Sequence, residues 1–117
     1  MPSSSQVREN DLAAAESVVE RLYLSVHHLA TARGDVRSRL IGVGTTLAPL
    51  LEREFPKELR SDYSWVMAQL TRHEPVYNEG RIEATMKRIK NATGEKIAKR
   101  VFEMYSKVQQ MRSYPLL

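Results

Sequence analysis

The sequence predicts an all-α fold, a single-domain bundle of about five helices. Apolar residues recur at steps of three and four through nearly the whole chain, and no strict apolar–polar alternation runs beyond a few residues. At 117 residues, one domain is the default, with a core large enough to need no disulfide or metal staple.

Residues 1–9 are polar and read as a flexible N-terminal tail, with the bundle spanning 10–112 and a second tail at 113–117. Asn10 or Asp11 caps the first helix in this reading. Its inner face is Leu12, Ala15, Val19, Leu22, Tyr23, Val26, Leu29 and Ala30, and Gly34 ends it. Asp35 is the N-cap of the second helix, whose stripe Val36, Leu40, Val43, Leu47, Leu50 alternates steps of four and three, the spacing of shallow helix packing. Because that stripe continues past Pro49, the expectation is one helix kinked at Pro49 rather than two. Gly42 and Gly44 sit inside it and point to close approach of another backbone.

Pro56 suits the first turn of a third helix, with Leu59, Tyr63, Val66 and Leu70 inward and a loop from His73 to Gly80 after it. Asn78 is the expected cap of a fourth helix with Ile82, Met86 and Ile89 inward. A break at Asn91–Gly94 follows, then a fifth helix capped by Thr93, burying Ile97, Val101, Met104, Tyr105, Val108 and Met111. Pro115 stops regular helix in the tail.

Charge is unevenly spread. From Arg81 onward there are nine Lys/Arg against three Glu, a net of +6, whereas the first 80 residues carry nine Lys/Arg against eleven Asp/Glu, a net of −2. If the last two helices pack as a hairpin, Lys87, Arg88, Lys90, Lys96, Lys99, Arg100 and Lys107 form one positive surface, tempered by pairs such as Arg100–Glu103 and Glu103–Lys107. Trp65, on the flank of its stripe, and Tyr114, Leu116 and Leu117 of the tail are candidate apolar anchors.

Other constellations are poorer in chemistry. Arg33, Arg37 and Arg39 surround a helix start, but Asp35 puts a carboxylate at the same place. His27 and His28 are adjacent and point about 100° apart on a helix. No spacing for metal ligands, no nucleophile elbow and no phosphate loop occurs, so no catalytic residue, metal or cofactor is expected. Arg21 and His27 on one helix motivate only a remote hydrolase alternative. With no cysteine, and with no apolar run near the ~20 residues of a membrane span, the expected setting is the cytoplasm, away from membrane. The function expected is a non-enzymatic protein-interaction or regulatory module working through its basic C-terminal helices. Its partner is an acidic protein or a second copy of the chain, and a nucleic-acid-binding accessory role is the alternative.

Overall fold

The stripes become five α-helices in the computed structural model, which describes the backbone of residues 4–113 and the side chains of residues 16–112. They are α1 (Ser4–Thr31), α2 (Val36–Leu47), α3 (Arg60–Leu70), α4 (Arg81–Arg88) and α5 (Asn91–Ser113), with two single 3-10 turns, Glu52–Glu54 and Lys57–Leu59, between α2 and α3. No strand occurs among the described residues. No described helix is long and apolar enough to cross a membrane.

Helix α2 is central and packs against each of the other four. The molecule measures 49 × 30 × 20 Å, so it is two helices thick in its shortest direction. The core is built from the expected stripes: Leu40, Val43 and Leu47 of α2, Leu59, Val66 and Leu70 around α3, and Ile97, Val101 and Met104 of α5 are all fully buried, with Leu22 and Val18 from α1. Tyr23, expected inward, is instead half exposed and leans on Tyr105 and His27 at the edge of α1 and α5.

Several boundaries differ from the sequence reading. Helix α1 starts at Ser4, within the segment expected as a tail, and runs through Asn10 and Asp11. No Gly or Pro interrupts residues 4–31, so nothing local stops the helix there. Helix α4 is capped at Gly80 rather than Asn78. Helix α5 opens at Asn91, so the expected break at 91–94 is its first turn. Gly94 is buried there because α2 crosses it: a Cβ on Gly94 would lie 3.0 Å from Val36 Cγ1.

Helix α2 ends at Leu47 instead of bending at Pro49. Proline withholds the N–H that would bond Thr45 and its ring crowds that carbonyl. The Leu50 N–H makes a tight turn to the Leu47 carbonyl, 3.0 Å. Leu50 still reaches the core, which is why the stripe looked continuous. What lies close to Gly42 and Gly44 is side chain, not backbone: the His28 ring covers Gly42 and Ile82 covers Gly44.

The carbonyls left free at the end of α2 are taken up from outside. Arg21 Nη1 donates to Thr46 O at 2.9 Å, placing a cation at the negative end of the helix. The Tyr63 hydroxyl lies 2.9 Å from Leu47 O and 2.6 Å from Leu50 O, and donates to this pair. Tyr63→Phe therefore orphans Leu50 O, while Leu47 O keeps its turn bond. The expected cost is about 1–1.5 kcal/mol in a urea melt at neutral pH. Burial, with the charge of Glu54, also raises the Tyr63 phenol above its ordinary value of 10.0. The folded form thus holds its proton longer than the unfolded chain. This stabilising contribution is complete below the ordinary phenol range and is lost as pH rises through the folded value. The Phe variant should show a shallower alkaline loss of stability than the parent.

Candidate binding surface at one pole of the bundle

Helices α4 and α5 do not form the hairpin on which a single positive face depended. Helix α4 packs on α2 and α3, and α5 packs on α1, α2 and α3. The seven candidate cations are accordingly divided. Arg100 and Lys107 turn to α3, where Asp62, its side chain only 13% exposed, accepts from Arg100 Nη1 at 3.2 Å and from Lys107 Nζ at 3.1 Å. The pairing read from sequence, through Glu103, is replaced by Lys99–Glu103 at 4.0 Å, on the surface. Asp62 wins because it is fixed on a packed helix and partly shielded from water, where an ion pair is screened least.

The Arg100 guanidinium also lies 4.4 Å from the centroid of the Trp65 ring. Trp65 is half-buried against the core, so much of the surface suggested for anchoring is already covered. Tyr114, Leu116 and Leu117 lie outside the described residues.

The remaining cations meet a second group that lies 48 to 63 residues away in the sequence. Arg37 Nη1 donates to Ile89 O at 3.1 Å, just beyond the end of α4. The contact of Gly94 with Val36 and Arg37 sets the first turns of α2 and α5 side by side. One end of the bundle thus gathers the end of α1, the start of α2, the end of α4 and the start of α5. It carries Arg33, Arg37, Arg39, Lys87, Arg88, Lys90 and Lys96 against Asp35, Glu83 and Glu95.

These groups have unequal freedom. Arg39 Nη1 donates to Leu29 O at 2.6 Å, capping the end of α1. Arg37 is held by Ile89 O and by Asp35 at 3.0 Å. Its Nε is buried and without a partner among the described residues. Asp35 caps α2 by accepting from the Ser38 N–H at 3.1 Å. That bond, with Arg37 beside it, holds the Asp35 carboxyl below its ordinary value. Lys87 is loosely paired with Glu83 at 3.8 Å. Arg33, Arg88, Lys90 and Lys96 are exposed and in no ion pair among the described residues.

Sequence reasoning missed that Arg37 and Arg39 cap helix ends, and missed Asp62 altogether. The signal available for Asp62 was only a carboxylate beside an apolar stripe. Arg21 and His27 are not brought together: Arg21 caps α2, whereas His27 is exposed beside Tyr23 and Thr31. Six residues on a helix leaves them about 120° apart, and their geometry supports no shared chemistry. No group of three His, Cys, Asp or Glu side chains among the described residues is placed to hold a metal ion. Comparisons with protein-family models, curated proteins and solved structures find no match to this chain.

Proposed function

We propose that the chain is a small non-enzymatic module that engages an acidic protein surface through the basic pole. The supporting observation is convergence: four cations in no ion pair among the described residues, Arg33, Arg88, Lys90 and Lys96, come from three separate segments to one end of the molecule. Arg88 and Lys96 stand on packed helices, and Arg33 and Lys90 lie in the short connections between helices, which favours complementarity to a defined surface over diffuse attraction.

Nucleic acid is the second reading. It is favoured by the absence of an ion-pair partner for those four cations among the described residues and by the start of α5, whose first turn adds free backbone donors and contains no acidic residue. The two readings separate by probe and by salt. Polyglutamate and a random-sequence DNA duplex are titrated into the full chain and into a variant with Arg33→Glu, Arg88→Glu, Lys90→Glu and Lys96→Glu. The proposal expects polyglutamate binding that the variant loses by at least tenfold, about 1.4 kcal/mol or more. Duplex binding that falls about 10²- to 10³-fold between 50 and 200 mM salt, as about five phosphate contacts require, with no polyglutamate binding, replaces it by the nucleic-acid reading. Unchanged binding of both probes by the variant sinks both.

A further inference from the structure

Two adjoining depressions run along the face between α2 and α4. The first, of about 360 Å³, opens at the pole between Arg37, Lys87 and Met86. The second, of about 340 Å³, continues toward Ala48, Met67 and Ile82. Ile41 and Glu83 line both, so they read as one groove. It follows α2 from Asp35 to Ala48, about 20 Å at 1.5 Å per residue. Its floor is apolar. Its cations are Arg37, Lys87 and Arg81, and its carboxylates are Asp35 and Glu83; Arg37 pairs with Asp35, Arg81 with Glu74, and Lys87 only loosely with Glu83.

Beside this groove the chain displays a segment of matching chemistry. The α3–α4 loop holds Val76, 62% exposed, and Tyr77, 83% exposed, the two most exposed large apolar side chains described. They stand between Glu74 and Glu79. The base of the loop is fixed: the His73 N–H donates to the buried Thr85 hydroxyl at 2.9 Å, and Thr85 in turn donates to Arg81 O at 2.8 Å. Glu74 pairs with Arg81 at the loop's other end. A loop tied at its base that holds an aromatic and a valine out in water leaves apolar area uncovered at a specific place.

We propose that the groove is occupied by the Glu74–Glu79 loop of a second copy of this chain. Val76 and Tyr77 then cover Ile41, Ile82 and Met67; Glu74 stays with Arg81, and the charge that faces Lys87, only loosely paired with Glu83 at 3.8 Å, is Glu79. Loop and groove adjoin on the same face, Gly80 closing the one and lining the other. A twofold axis through that face seats both loops at once, giving a contact that closes as a dimer and does not propagate. The interface is at the small end for a specific contact, so the association is weak and exchanging. This goes beyond the polyanion-binding reading and does not depend on it.

The test is sedimentation equilibrium of the full chain over about 10 µM to 1 mM, the range in which a small interface associates. The wild type is expected to move from monomer toward dimer mass. Val76→Ser with Tyr77→Ser should weaken dimerisation at least tenfold without changing the helical signal, since both side chains are exposed. Gly80→Trp should do the same from the groove side. A Cβ at Gly80 meets nothing within 4 Å and its backbone is extended at φ −74°, so the variant folds and fills the groove mouth. A chain that stays monomeric to 1 mM overturns the proposal, as does a dimer that survives both variants. The charge-reversed pole variant (Arg33, Arg88, Lys90 and Lys96 to Glu) should keep its dimer mass, so loss of polyanion binding and loss of self-association are read separately.

Discussion

Phe55→Ala should destabilise the fold by about 3–5 kcal/mol, out of a total of about 5–15 kcal/mol for a typical domain. The ring is 1% exposed and stacks on Tyr63 with centroids 4.1 Å apart and planes 25° from parallel. Tyr63 in turn holds the carbonyls at the end of α2. Removing the ring therefore opens a cavity and loosens the group that terminates the central helix. A fall in Tm of about 10–20 °C is expected for a chain of this size. Phe55→Leu should recover more than half of the loss, because it restores volume without the stacking. A cost below about 1 kcal/mol, far under the range for an aromatic deleted from a core, would show that residues 51–59 are not seated on the core as described.

Asp62→Ala should cost about 2 kcal/mol after allowing for the exposure of its partners. The carboxylate is only 13% exposed and is shared by Arg100 and Lys107, whose side chains are 36% and 54% exposed. Both cations regain water when it is lost, which keeps the cost below that of stranding a buried charge. Two readouts accompany the change. Tryptophan fluorescence should shift, because Arg100 no longer has an anchor holding it over Trp65. Binding of polyglutamate should strengthen, because two cations are released and one negative charge is removed. In a double-mutant cycle with Arg100→Ala the effects should fall short of additive by at least 0.5 kcal/mol, as expected for residues in contact. Strict additivity would remove the ion pair from the account.

The buried stripes show why so much of the fold was legible. Leu59, Tyr63, Val66 and Leu70 are spaced so that any helix through them puts all four on one side, and all four are buried. The same holds for Ile97, Val101, Met104 and Val108. That inference needs only the 3.6-residue period and the preference of apolar groups to leave water. The errors fall where local pattern and backbone chemistry disagree. Leu50 continues the α2 stripe, but Pro49 denies the backbone bond that would carry the helix to it. Gly94 resembles a breaker, but α2 packs across it. The expected charge pairs failed for a related reason: Glu103 is near Arg100 and Lys107 in sequence, whereas Asp62 is 38 and 45 residues away and better placed.

By itself the sequence determined the all-helical class, the inner face of most helices and the excess of positive charge after residue 80, because each follows from neighbours within a few turns. Only the tertiary structure decided which of those charges are free. It sent Arg100 and Lys107 to Asp62 on α3, used Arg37 and Arg39 to close helix ends, and gathered Arg33, Arg88, Lys90 and Lys96 at one pole. A cation's availability depends on which carboxylate or carbonyl the packing brings within about 3 Å of it. Where the partners lie tens of residues apart, that distance is fixed by how the helices pack and not by their separation along the chain.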